Sequence, residues 1–235
     1  MTTDEMKRFA ERTVRRALAA GAETSEATVL ERMEFSVEVR KGAIEKLIES
    51  VSSSIDIELS IDRRKALVSS SDLSEESVSA LIAAGVELAR IMDRDEFFAL
   101  PDAAELGAAE GDLDLFDHDA RALPTERKIA LALELERNAL GLDKRIIPDG
   151  SSFSNSEKTI AIPNSHGFCD TYRRTINTLA LSCAVEDRPE NGENIGKRQS
   201  SYWYSTAIRA RDLERAEEIA SKAVSRTLRK IGARK

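Results

Sequence analysis

The sequence predicts an α+β protein of two consecutive helix–four-strand–helix units, each a mainly antiparallel sheet with its helices packed on one face. Three observations carry that prediction. Apolar residues at helical spacing open and close each half of the chain. Between them lie short stretches in which apolar and polar residues alternate singly, the period of a strand with one buried face. The strands are amphipathic rather than continuously apolar, which favours antiparallel sheets with one face wet or covered by a partner.

In the first unit, Met6, Phe9, Ala10, Val14, Ala17 and Leu18 form a helical stripe, and Gly21 stands where a helix end wants a left-handed residue. Met33, Phe35, Val37 and Val39 then alternate with Arg32, Glu34, Ser36, Glu38 and Arg40. Lys41-Gly42 supplies a hairpin turn into a strand over Ala43 to Val51. Ile55, Ile57, Leu59 and Ile61 alternate with Asp56, Glu58, Ser60 and Asp62, and a turn over Asp62 to Lys65 leads to a fourth strand, Ala66 to Ser70. Asp72 or Ser74 can cap the closing helix, with Glu75 and Glu76 in its first turn and Val78, Leu81, Ile82, Val86 and Ala89 on its buried stripe. This unit is expected over residues 1–93.

Residues 94–123 lose periodicity and turn acidic, with Asp95, Glu96, Asp102, Glu105, Glu110, Asp112, Asp114, Asp117 and Asp119 punctuated by Pro101, Gly107 and Gly111. They are expected to form a linker. The second unit, 124–235, opens at Pro124, a residue suited to a first helical turn. Its helix carries Ile129, Ala132, Leu133, Ala139 and Leu140 and is expected to stop at Gly141. Strands are expected over Arg145 to Ser156, Thr159 to Pro163, Gly167 to Val185 and Gln199 to Ala207, with a turn at Asn164-Ser165-His166-Gly167 and a mobile polar loop over Glu186 to Lys197. Ala216, Ile219, Ala220, Ala223, Val224, Thr227, Leu228 and Ile231 mark the last helix, which ends at Gly232.

Composition excludes several function classes. With 41% hydrophobic and 33% charged residues over 235 positions, the chain can bury a core. No apolar run approaches the roughly 20 residues of a membrane span, and the charged N-terminal stretch lacks the apolar core of a signal peptide. The only cysteines are Cys169 and Cys183, so no disulfide framework is implied and a cytoplasmic location is expected. A net charge of -7 opposes nucleic-acid binding, and Arg63, Arg64 and Lys65 read as a solvated turn.

No catalytic constellation emerges. Asp56, Glu58 and Asp62 read as the wet side of a strand rather than an acid–base cluster. His118 between two aspartates lacks a second ligand cluster. His166 and Cys169 are close in sequence, but such a dyad is set by the fold and not by proximity along the chain. Hydrolysis by that pair is therefore the most distant reading. Tyr202 and Tyr204, on one face of a strand with Trp203 on the other, are the candidate peptide- or partner-contact residues; no catalytic or metal residue is assigned.

Several segments, taken in order, carry a resemblance. Ala19-Ala20-Gly21-Ala22-Glu23, Val39-Arg40-Lys41-Gly42-Ala43-Ile44-Glu45 and Ser69-Ser70-Ser71-Asp72-Leu73-Ser74 come first. Leu100-Pro101-Asp102, Leu113-Asp114-Leu115-Phe116-Asp117 and Asn164-Ser165-His166-Gly167-Phe168 continue the series. Tyr202-Trp203-Tyr204-Ser205, Arg211-Asp212-Leu213 and Leu228-Arg229-Lys230-Ile231-Gly232-Ala233-Arg234-Lys235 close it. This colinear set resembles the TldD/PmbA (TldE) metalloprotease family, in its PmbA/TldE-like branch.

The resemblance covers the N-terminal and middle regions, with the family's C-terminal domain expected to begin after Lys235. It implies a non-catalytic subunit of a TldD/TldE-type protease that processes or degrades peptides and unfolded proteins. Zinc would then sit on a HExxxH helix of the TldD-like partner, in a homo- or heterodimer. His118 and His166, the chain's two histidines, lie too far apart to form that motif. The competing expectation is a stand-alone binding or regulatory module, related to gyrase modulation or toxin–antitoxin systems, with no catalysis. Neither nucleic acid nor membrane is an expected partner.

Overall fold

The computed structural model describes residues 1–107, 111–119, 123–187 and 197–233. Glu110 and the C-terminal Arg234-Lys235, named above, and the centre of the expected 186–197 loop lie outside the described residues. In order the chain forms α1 (Thr3–Ala19), β1 (Thr24–Arg40), β2 (Ala43–Ile61), β3 (Arg64–Ser70), α2 (Glu75–Ile91), α3 (Thr125–Leu142), β4 (Ile147–Pro163), β5 (Cys169–Glu186), β6 (Arg198–Ala207) and α4 (Ala216–Leu228). The strands join one six-stranded sheet in the order β3-β2-β1-β4-β5-β6, with β2–β3 and β5–β6 antiparallel. The fold class is α+β, as the alternation predicts.

Two strand boundaries differ from expectation in the same way. Ala43–Val51 and Ile55–Ile61 are one strand, β2, and the expected strands ending at Ser156 and starting at Thr159 are one strand, β4. Each half of the sequence therefore contributes three long strands rather than four short ones. Gly141 lies inside α3, which runs one residue further. Strand β1 begins earlier than its clearest alternation, at Thr24.

Local chemistry explains the ends. Thr2 and Glu5 form a capping box on α1: the Glu5 amide donates to Thr2 Oγ1 at 3.2 Å, and the Thr2 amide donates to Glu5 Oε2 at 2.8 Å. At the far end, Gly21 has φ +108°, with its amide on the Leu18 carbonyl and the Ala22 amide on the Ala17 carbonyl, a Schellman closure. Ser74 caps α2 by accepting the Ser77 amide at 3.2 Å, while Asp72 accepts the Ser74 amide at 2.9 Å, so both candidate residues serve that start. Both residues of each tight turn, Lys41-Gly42 and Asp62-Arg63, have positive φ, the geometry whose twist matches flanking strands.

The described residues divide into two compact units that interleave along the sequence. Unit 1 comprises 1–33, 51–115 and 158–174. Its core sets Met6, Phe9, Ala10 and Ala17 of α1 and Val78, Ile82, Val86 and Ala89 of α2 against Val29, Ile55, Ile57, Leu59 and Ala161 of the sheet. Unit 2 comprises 34–50, 116–157 and 175–235. There Ala132, Leu135 and Ala139 of α3 and Ile219, Ala220, Ala223 and Val224 of α4 cover Phe35, Val37, Val39, Phe153, Leu179, Leu181 and Cys183. Ala216, Ala220, Ala223 and Val224 keep the backbone of α4 close to the sheet.

One carboxylate in unit 1 lies partly inside. Glu26 on β1 has its pKa raised, first by burial and then by the negative Glu58 nearby, against a hydrogen bond from Asn164. A raised folded-state pKa means that the folded chain holds this proton more tightly than the unfolded chain. The side chain's favourable contribution is therefore complete below the unfolded value and is lost as pH rises through the folded one. Glu26→Gln is expected to unfold at higher urea than the native chain at pH 7, with the difference vanishing below about pH 4. Equal midpoints across that range in paired urea titrations would refute it.

Candidate functional site

The expected contact residues sit on β6, the strand at one end of the sheet order. Its register with β5 sets which way each side chain points, because directly opposed residues share a face. Trp203 lies opposite Leu181, whose side chain is buried in the unit 2 core, so the indole turns to the helical side. Tyr202 and Tyr204 lie opposite Ser182 and Ala180 on the other face. They are 64% and 54% exposed, and their rings stack with centroids 6.2 Å apart and planes 18° from parallel. The two rings thus lie at the surface of a strand that has no outer neighbour among the described residues.

Trp203 is half-buried against the core and underlies a charged cluster formed by Glu214, ahead of α4, and by Lys222 and Arg226 of α4. Its Nε1–H donates to Glu214 Oε2 at 3.3 Å, and Lys222 Nζ donates to the same oxygen at 2.7 Å. Lys222 Nζ lies 5.1 Å from the indole centroid and the Arg226 guanidinium carbon 5.2 Å, both in cation–π range. The Ser205 hydroxyl accepts the Glu214 amide at 2.9 Å, fixing the carboxylate's position. Tyr202, Trp203, Tyr204 and Arg226 line a depression of about 320 Å³. Sequence reasoning found the tyrosines by strand alternation but not Glu214, Lys222 or Arg226. The spacing of Lys222 and Arg226 shows only that they share a helix face; which strand that face covers is a tertiary fact.

The other candidates are placed as follows. His166 Nδ1 is 2.8 Å from the Pro101 carbonyl, and its turn is tied by Asn164 Oδ1, which accepts the amides of His166 and Phe168 at 3.0 and 3.2 Å. Two of the sequence motifs, Leu100-Pro101-Asp102 and Asn164 to Phe168, thus meet at a structural contact. The Cys169 thiol is pushed up to about 11, first by burial and then by its hydrogen bond to Glu11, which leaves it protonated and a poor nucleophile at neutral pH. Cys183 is buried beside the Thr227 hydroxyl at 3.1 Å. His118 packs edge-on against Phe116 at 5.2 Å.

The charged turn residues are engaged within the chain. Lys65 pairs with Glu58 at 2.7 Å, Arg94 with Asp62 at 2.9 Å, and Arg63 donates to the Glu96 carbonyl at 3.1 Å. Among the described residues no three His, Cys, Asp or Glu side chains converge on a point where a metal could sit. Among the described residues no helix is long and apolar enough to cross a membrane.

Comparison with known proteins gives a consistent picture. Residues 26–89 match the model of PmbA/TldA metallopeptidase domain 1, and residues 118–231 match that of the PmbA/TldA metallopeptidase central domain. The chain is 31% identical over 220 residues to metalloprotease PmbA of Escherichia coli O157:H7, covering 93% of this chain and 47% of that protein. A PmbA homolog of Haemophilus influenzae is 28% identical over 231 residues, covering 94% and 48%. The chain spans about half the length of the curated relatives it matches. A crystal structure of a proposed DNA gyrase modulator from Bacteroides thetaiotaomicron superposes with TM-score 0.90 at 28% identity, over 100% of this chain and 52% of that one. TldE of Thermococcus kodakarensis shares the fold, with TM-score 0.77 at 15% identity over 94% and 47%.

Proposed function

The chain belongs to the PmbA/TldA metallopeptidase family, carrying its domain 1 and central domain, and from that premise we propose that it is the non-catalytic, PmbA/TldE-like part of a TldD/TldE-type metalloprotease. Its task is to hold extended peptide, or a partner's strand, for cleavage on a TldD-like subunit that carries the zinc. The observation that supports this most directly is β6, which has no outer neighbour among the described residues, with its stacked, exposed Tyr202 and Tyr204. Strand addition to such an edge uses main-chain hydrogen bonds for affinity and tolerates many sequences, as a protease of unfolded polypeptides needs. No catalytic step is assigned to these residues. A cytoplasmic location is part of the same proposal.

The test is to mix the chain with a TldD-like subunit and zinc and to follow cleavage of a fluorescently labelled unfolded polypeptide. Cleavage is expected only when both proteins are present. The double variant Tyr202→Ala, Tyr204→Ala should lower kcat/KM at least about tenfold, mainly through KM, as removing two exposed aromatic anchors does. Circular dichroism identical to the native chain would show that the fold is kept. No cleavage with any TldD-like partner would sink the proposal. The gyrase-modulator description of the Bacteroides structure supports a second reading, a regulatory module acting on a protein partner. Stable capture of such a partner without any protease subunit would favour it.

A further inference from the structure

The β6 edge has two differently furnished faces, and an added strand would meet both. Along any extended segment successive side chains point to opposite faces. A peptide laid beside β6 therefore sends one side chain toward Trp203 and Arg226, and its two neighbours toward Tyr202 and Tyr204. The second pair of positions meets exposed, stacked phenol rings and suits apolar or aromatic side chains. The central position meets a cation.

That cation is Arg226. The neighbouring Lys222 has its charge answered by Glu214 at 2.7 Å. Arg226 is exposed, has its guanidinium carbon over the Trp203 ring at 5.2 Å, and has no carboxylate partner among the described residues. Arg226 lines the same depression as Tyr202, Trp203 and Tyr204, so its guanidinium donors are available to a side chain that enters there. A planar fork of donors of this kind receives a carboxylate through two parallel hydrogen bonds.

We infer that the β6 edge selects extended peptides with an acidic residue between two apolar ones, the carboxylate pairing with Arg226 and the flanking side chains lying against Tyr202 and Tyr204. This rests on the proposed peptide-holding role and adds to it the chemical class of peptide held. Selection operates by charge, so it weakens with salt.

The test uses the whole chain and three fluorescein-labelled nine-residue peptides of alternating valine and serine. Each has a central residue flanked by leucines, and that residue is glutamate, glutamine or lysine. Fluorescence anisotropy at low salt is expected to give the glutamate peptide about tenfold tighter binding than the glutamine peptide, with the lysine peptide weakest. In Arg226→Gln the glutamate-to-glutamine ratio should fall close to one, and 0.5 M sodium chloride should narrow it in the native chain. Glutamate and glutamine peptides binding equally well would overturn the acidic selectivity while leaving the peptide-holding role intact. A preference that survives Arg226→Gln would overturn the assignment to this residue. If none of the three peptides binds, the peptide-holding reading of β6 falls, and this inference with it.

Discussion

Replacing Phe153 by alanine is expected to destabilise the chain by about 3–5 kcal/mol, the largest effect of any single substitution considered. Phe153 is fully buried on β4 and belongs to the unit 2 core with Leu135 of α3, Leu179 and Leu181 of β5, and Ile219 of α4. Removing the ring loses its transfer free energy and leaves a cavity that neighbours from three elements cannot all collapse into. Phe153→Leu keeps most of the volume and should cost less than half as much. Urea titration at 25 °C followed by Trp203 fluorescence measures both, since the indole sits on the same core. A loss below about 1 kcal/mol for the alanine variant would mean that this core is not packed as described.

What was legible in the sequence follows from what periodicity reports. Alternation is a record of burial, not of hydrogen bonding. Where β2 crosses from Ala43 to Ser52 every residue is exposed, so Ser50, Ser52, Ser53 and Ser54 read as a break although the strand continues through them. Likewise Ser156, Glu157 and Lys158 interrupt the apolar pattern of β4 without ending it. Neither stretch contains the proline or glycine that would stop a strand. The helices, with one apolar stripe each, were readable to within a residue or two, except that α4 ends at Leu228 rather than at Gly232, leaving Ile231 beyond it. Joining the strands of both halves into one sheet was not readable, because strand order depends on contacts between distant segments. The tyrosines of the candidate site were visible by their two-residue spacing, whereas Arg226 comes beside them only through α4 packing over Trp203.

The second large effect is expected at Asp117, which the sequence shows merely as one acid among many in the 94–123 stretch. Asp117 is 6% exposed, and its carboxylate accepts two backbone amides, from Asp119 at 3.0 Å and from Ala210 at 3.3 Å. Its own amide donates to Thr175 Oγ1 at 3.1 Å. Close by in the chain, Asn177 Nδ2 donates to the Ile208 carbonyl at 2.8 Å, and Asn155 Nδ2 donates to Asn177 Oδ1 at the same distance. These bonds fasten the segment between β6 and α4, the one that carries Glu214 to Trp203 and Lys222. Asp117→Ala takes a charged acceptor from the amides of Asp119 and Ala210, and should cost about 2–3 kcal/mol. Asp117→Asn keeps one carbonyl acceptor and should cost about half of that. If Glu214 is positioned by this segment, Asp117→Ala should also weaken peptide binding at temperatures where the chain is still folded, with Trp203 emission shifted. Stability within about 0.5 kcal/mol of the native chain would show that the buried carboxylate is replaceable by solvent, and that the turn holds itself.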